Sequence, residues 1–355
     1  MREFVRQRES EGSPRVLSEL DLALVNALQI NPRAPWSEIA RALDVDAATA
    51  ARRWERLQAA GNAWVTGYGF AETATGALIE VDCAPGQDTT VADTVAADPH
   101  TVTVEHAAGG RDLLITVMVS DFGALSAYIV DRLGSIPGVT STRAHLMTRN
   151  YAEGSVWRLR SLTRSQQELL VASRRAAKGG QFDPLEQHRE LLHALGENGR
   201  VSMSDLATRL GVSISTVSRR LNRLVAAGSL VFRCDLARSL SGAPVTVTFF
   251  GSTPPDLLDA TARELAKIPE IRMCIGVAGP RNLIATAWVG SLMDVQSLEI
   301  RLVKSLPHFH IADRAVSLRT VKLMGRRLDP EGRAVGFVAV DPWARMAAPE
   351  RATPA

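Results

Sequence analysis

The chain is poor in cysteine and has no long apolar run. Its three cysteines, Cys83, Cys234 and Cys274, lie far apart, with neither metal-ligand spacing nor an evident pairing. That excludes a disulfide scaffold and favours a reduced environment. No stretch approaches the ~18 apolar residues that span a bilayer; VTVTFF at 245–250 is among the longest. No membrane partner is expected. The N-terminus, MREFVRQRESEGSPR, is charged from its second residue and lacks an apolar signal core, so a cytoplasmic protein is expected. Excess charge of one sign is missing too: the net charge is only +3, and composition by itself does not announce a nucleic-acid partner. Nucleophile elbow, phosphate loop and metal-ligand spacing are all missing. The expectation is a non-enzyme with no catalytic residue, no metal and no cofactor.

What is present is a duplication. With 46% hydrophobic and 22% charged residues, the chain reads as a soluble globular protein long enough for several domains. VDAATAARRWERLQAAG (45–61) and VSISTVSRRLNRLVAAG (212–228) align at an offset of 220 − 53 = 167. Across the 41 pairs from Asp21/His188 to Gly61/Gly228 there are 17 identities, Arg33/Arg200 and Ser37/Ser204 among them. GGRDLL at Gly109 answers GPRNLI at Gly279 at an offset of 279 − 109 = 170, which Pro99/Pro269 and Pro137/Pro307 keep. A period this long is a repeated two-domain unit, not a solenoid.

Each unit opens with three helical patterns. In the second, EQHRELLHALGEN precedes Gly199, Ser202 caps the next helix with Asp205 three residues on, and Gly211 suits a left-handed turn. Ser213 caps a third helix closing at Gly228, and SLVFRCD follows as a strand. This reads as a winged helix-turn-helix. The pattern then becomes βαββαβ, the order of a ferredoxin-like sandwich. The fold class is therefore α+β, the pair of domains repeated in tandem. Boundaries are expected at 17–70 and 184–240 for the helix-turn-helix domains and at 71–149 and 241–325 for the ferredoxin-like domains. Residues 150–183 read as a basic linker with a helix, most simply a solvated connector, and 326–355 as a C-terminal tail that frays beyond Trp343.

On these residues the chain resembles the Lrp/AsnC (feast/famine) family of transcriptional regulators. The resemblance rests on ELDLALVNALQINPR (19–33), IARALDVDAATAARRWERLQAAG (39–61), WVTGY (64–68), GGRDLLITV (109–117) and LGSIPGV (133–139) in the first unit. LATRLGVSISTVSRRLNRLVAAG (206–228) carries it in the second. The family implies double-stranded DNA and an amino acid or related small metabolite as partners. It also implies assembly from dimers, so two units in one chain would supply a pseudo-dimer, and a homo-oligomer of such chains is expected.

On a helical wheel Val217, Leu221 and Leu224 share the core face. Ser215, Arg219 and Asn222 oppose them, flanked by Thr216, Ser218 and Arg223; with the capping Ser213 they suit base edges and phosphates, unless they only solvate a surface helix. Arg220 and Arg53 lie beside the core stripe, where a structural ion pair or a phosphate contact is the simpler role. The first copy offers Thr49, Arg52, Arg53 and Arg56, but has Ala48 for Ser215, Ala51 for Ser218, Glu55 for Asn222 and Asp46 as the cap. Residues 188–238 hold eight basic and four acidic groups, 8 − 4 = +4, whereas residues 21–71 hold five of each, 5 − 5 = 0. Phosphate neutralisation favours the second copy as the stronger reader.

The family's effector lies near a Gly-x-x-Asp turn, which Gly109 and Asp112 match. Gly279 matches in the second unit, but Asn282 replaces the aspartate. The plain alternative is that these residues only shape a tight turn. Two other functions share the fold: a siroheme-decarboxylase-like enzyme, and an architectural DNA-binding protein without effector. Against the enzyme, the stretches after the wings carry no histidine, and His100, His106 and His145 have no carboxylate or cysteine partner evident in the sequence.

Overall fold

The structure is a computed structural model describing residues 17–70, 74–173 and 184–346. Basic residues 174, 175 and 178, most of the glycine-rich break after them, and the end of the tail lie outside those residues. The first unit runs α1 (Glu19–Ile30), α2 (Trp36–Leu43), α3 (Ala47–Ala59) and β1 (Ala63–Tyr68). It continues with β2 (Thr75–Cys83), α4 (Asp88–Ala97), β3 (Thr101–Ala108), β4 (Leu113–Val119), α5 (Phe122–Ala127) and β5 (Val139–Ala152). After the connector helix α6 (Arg164–Ser173) the order repeats. The second unit has α7 (Arg189–Glu197), α8 (Met203–Leu210), α9 (Ile214–Ala226) and β6 (Val231–Leu236). Then come β7 (Val245–Ser252), α10 (Leu258–Leu265), β8 (Ile271–Val277), β9 (Leu283–Val289), α11 (Leu292–Ser305) and β10 (His310–Leu323). Two short strands, β11 (Arg326–Leu328) and β12 (Ala334–Phe337), end the order.

Local chemistry accounts for several helix ends. Ser18 and Asp21 form a complete capping box on α1. The Ser202 and Ser213 hydroxyls accept from the Asp205 and Thr216 amides at 3.0 and 3.2 Å. Asp46 occupies the N-cap position of α3, yet its carboxylate makes no capping hydrogen bond, so the equal cap expected from sequence is not formed. Gly211 takes the left-handed turn between α8 and α9 (φ 63°), and Asp44 takes the same turn in the first copy (φ 53°). Aspartate is among the few side chains that tolerate that region.

The halves are joined by strand pairing at their edges. Within the units the strand orders are β3-β4-β2-β5 and β8-β9-β7-β10, the ferredoxin-like arrangement. β5 then pairs with β8, and β10 with β3, so eight strands close into one ring. Met147 stands opposite Val277 and Ser317 opposite Ala107, pairs equivalent at the 170 offset. Between the two halves pack Leu78, Leu114, Phe250, Ile275 and Ile284. Burying a side chain such as Phe250 is worth about 2 kcal/mol.

β1 and β6 pair antiparallel with Thr66 opposite Arg233, its equivalent at 233 − 66 = 167, so a pseudo-twofold axis passes between them. The strand following each reading helix thus finds its partner in the other copy. α1 packs on β6 and α7 on β1. Cys234 and Leu236 lie in the core of the first helical head beside Leu24 and Leu28. Gly199 allows close approach at this junction: its amide donates to the Val65 carbonyl at 2.8 Å, and a Cβ there would sit 2.5 Å from Val65. Arg33 donates to the Val201 carbonyl at 3.0 Å, and Arg200 donates to those of Pro32 and Ala34 at 2.7 and 3.0 Å. The repeated arginine is the clasp between heads.

The connector is not a solvated tether. Leu159, Leu162 and Leu170 join the first head's core. The Leu159 and Ser161 amides donate to Gln29 and Asn26, each at 2.9 Å. The tail is structured likewise through residue 346: β11 and β12 form a hairpin on β10, Trp343 packs on the second head, and Asp341 accepts from Arg189.

Candidate nucleic-acid interface and sensing turns

α9 is held by Val217, Leu221 and Leu224, all buried, which turns Ser215, Arg219, Asn222 and Arg223 outward, exposed, with Thr216, Ser218 and Arg220 half-buried. At its N-terminus Ser213, Ser215 and Thr216 form a hydroxyl cluster, the Ser213 oxygen 2.9 Å from each of the others. A helix N-terminus rich in hydroxyl donors suits a phosphate. Asn222 and Ser218 approach at 3.5 Å one turn apart. Arg219 and Arg220 have no ion pair among the described residues.

α3 presents a different surface. Arg53 and Arg56 both turn onto the Asp21 carboxylate, at 2.9 and 3.1 Å, and Asp21 is buried beneath them. Burial alone would raise the pKa of Asp21. The Ser18 hydrogen bond and the two arginines outweigh it and hold the carboxyl below its ordinary range. At the equivalent position the second copy has His188, not an acid. Arg52 stays exposed and Thr49 half-buried, while Asp46 and Glu55 are exposed acids on the same helix.

The Gly-x-x-Asp turn and its counterpart in the second unit hydrogen-bond to backbone. The Asp112 carboxylate accepts from the Cys83 amide at 2.7 Å. Asn282 does the same job in the second unit: it accepts from the Thr253 amide at 3.0 Å and donates to the Thr253 carbonyl at 2.9 Å. Cys83 and Thr253 are themselves equivalent at the 170 offset. Gly109 and Gly279 take positive φ, 97° and 134°, as the turns require. Their geometry matches the turn-shaping alternative.

Sequence reasoning missed what lies beside Asp112. Arg111 crosses into the second unit to Asp313 and stacks 4.9 Å over Phe250. Its Nε is 2.8 Å from buried Glu80, which also takes Arg143 at 3.1 Å and His145 at 2.7 Å. His106 lies 3.3 Å from Asp88. His106 and His145, unpartnered as read from sequence, therefore do have carboxylate partners, brought from strands and helices distant in the chain. Glu80 would rise on burial, but the His145 hydrogen bond and Arg111 hold it below its usual range.

Two helical heads on one strand pair, each with an outward third helix, above a ring of ferredoxin-like strands define a DNA-binding protein with a sensor body. Sequence comparison agrees. Residues 17–58 match the AsnC-type helix-turn-helix domain, 76–157 the Lrp/AsnC ligand binding domain, and 185–228 a winged helix-turn-helix DNA-binding domain. The HTH-type transcriptional regulator LrpA of Mycobacterium tuberculosis is 34% identical over 119 residues, 32% of this chain and 77% of that one. An uncharacterized HTH-type transcriptional regulator of Pyrococcus furiosus is 30% identical over 142 residues, 38% of this chain and 93% of that one. The chain belongs to the Lrp/AsnC family of transcriptional regulators. A crystal structure of the siroheme decarboxylase NirDL superposes with a TM-score of 0.55 over 86% of this chain and 93% of that one, at 14% identity. That likeness is one of fold.

Proposed function

We propose that this chain is a sequence-specific DNA-binding regulator, responsive to an amino acid or related metabolite, in which the second head dominates binding. The observation that carries the asymmetry is Asp21. It engages two of the three arginines of α3, whereas Arg219 and Arg220 of α9 remain available to bases and phosphates. DNA-contacting roles go to Ser213, Ser215, Thr216, Ser218, Arg219, Arg220, Asn222 and Arg223, with Arg52 and Thr49 subsidiary. Arg219→Ala is expected to weaken a specific site by about 1–3 kcal/mol and relax one base position. Arg52→Ala is expected to weaken it less. Equal losses in a mobility-shift titration of the two variants would remove the asymmetry.

Assembly beyond one chain has a surface suited to it. Phe122 and Val130 are 65% and 68% exposed, and their 170-offset equivalents Leu292 and Ile300 are 65% and 48% exposed. A groove of about 560 Å³ along α11 is lined by Leu292, Ile300 and Val303. Apolar patches of this kind mark association sites.

The NirDL-like fold favours one rival, an enzyme acting on a tetrapyrrole. An absorbance scan of the purified protein for a bound tetrapyrrole separates the two readings.

A further inference from the structure

The ring of eight strands is packed at one end and hollow at the other. Phe250 and Leu114 fill the end near Arg111. Towards the β1–β6 pair there is instead a cavity of about 320 Å³. Its apolar wall includes Leu78, Met118, Met147 and Ile275, drawn from both halves of the ring, while Tyr68 of β1 and Arg233 of β6 line it from the head-bearing strands. At roughly 30 Å³ per water it would hold about ten waters. That places it at the small end of the 300–1,000 Å³ range usual for ligand pockets, about.

Among the polar groups of its lining Tyr68 is paired with Glu153, Thr248 with Thr286 and Glu105 with Thr320, whereas three donors are under-used. Arg272, which lines the cavity, lies 3.9 Å from the Asp235 carboxylate and 3.9 Å over the Trp288 ring, and makes no hydrogen bond among the described residues. Thr246 also lines it; it is 1% exposed, and its hydroxyl has no partner among the described residues. Arg233 is 4% exposed and ion-pairs with Asp235, but its Nε has no hydrogen-bond partner among the described residues. Burying donors without acceptors is costly, and a guanidinium more so. Desolvation, with Arg233 nearby, drives Arg272 down to about 9. An anionic group in the cavity would relieve both effects.

We infer that this cavity is the effector site and that it takes a small monocarboxylate with an apolar body, the carboxylate on Arg272. This deepens the regulator reading and rests on it, but moves the ligand away from the Gly-x-x-Asp turns. Because Tyr68 and Arg233 sit on the strands that carry the two heads, a ligand here touches the joint between sensor and reader directly. Tyr68 donates to Glu153 where the connector begins, so the same contact reaches the segment that straps the first head.

The test uses the full chain with butanoate, 4-methylpentanoate, phenylacetate, L-leucine and L-phenylalanine, and the neutral amide of 4-methylpentanoate as control. Binding is read by melting temperature and by tryptophan fluorescence, since Trp288 lies over Arg272 and Trp157 is 4.8 Å from Trp288. At least one carboxylate should raise the melting temperature and change the fluorescence; the amide should do neither. Arg272→Met should weaken that binding by about ten- to a hundredfold. Met118→Trp, which fills the space, should abolish it. Stabilisation by none of the carboxylates, or equally by the amide, overturns the site. So does unchanged binding in a folded Arg272→Met protein. If DNA affinity responds to a ligand and both variants respond as the parent does, the site is wrong and the regulator stands. If the carboxylate binds at Arg272 without altering DNA affinity, the cavity is a ligand site but not the effector site, and that part of the inference is overturned.

Discussion

Releasing the arginines that Asp21 holds should make the first head a better DNA binder. Asp21→Asn keeps the size of the side chain and an oxygen able to accept in the capping box, but removes the charge that Arg53 and Arg56 share. Two effects then oppose each other. The head should lose about 1 kcal/mol, because one partly buried ion-pair network is broken. DNA binding should gain up to two phosphate contacts, each adding about 0.9 to the magnitude of the slope of log K against log salt, so at most about 1.8 in all. The assay is fluorescence anisotropy on a generic duplex between about 50 and 200 mM salt, with Glu55→Gln as a control. Glu55 is an exposed acid on the same helix, and its removal deletes a charge without freeing an arginine. A steeper slope for Asp21→Asn than for Glu55→Gln supports the reasoning; equal slopes in two folded proteins refute it.

Asp341 anchors the tail to the second head, and burial, which alone would raise its pKa, is outweighed by His193 and Arg189, which lower it to about 2 from an ordinary 3.8. A depressed carboxyl contributes stability above its unfolded value and loses it as pH falls through the folded one. Asp341→Asn is therefore expected to cost about 2 kcal/mol at pH 7, with the gap to the parent closing between about pH 4 and pH 2 in acid-denaturation curves. Because Asn282 already serves the second turn, Asp112→Asn should melt close to the parent and leave ligand response unchanged. Asp112→Ala should lose about 1–2 kcal/mol; a loss of ligand affinity in Asp112→Asn at unchanged melting temperature would return the effector to the turn. Ile300→Asp combined with Phe122→Asp should give single chains by light scattering at micromolar concentration where the parent is at least a dimer of chains, and a parent that is itself a single chain would contradict that assembly.

Much of this architecture was legible in the sequence, and for a definite reason. Helical periodicity, serine caps and glycine turns are local signals, so α7 to α9 and the outward face of α9 could be read from a few residues at a time. Pairing between copies is not local. Nothing in SLVFRCD says that its partner is AWVTGY from the other unit, so the exchange of β1 and β6 between heads was invisible. Arg33 and Arg200 stood out as an identity without a role, because each binds backbone carbonyls of the opposite copy. Asp112 fitted both a ligand group and a turn former by type and spacing. The Cys83 amide that it accepts from is a backbone atom that no side-chain pattern reports. The connector's docking depends on Leu159, Leu162 and Leu170 meeting a surface of α1 and α2, whose spacing across the linker carries no signature.

Strand exchange also sets a timetable for synthesis. The first head is not complete when its own helices leave the ribosome, since Cys234 and Leu236 belong to its core. Until Leu236 has emerged, α1 carries an apolar face with nothing to cover it, and β1 has an open edge where β6 will lie. The nascent chain must therefore keep a half-made head soluble through the whole of the first sensor domain and the connector. A premature stop between α6 and α7 would leave a fragment with the β1 edge and that face of α1 bare.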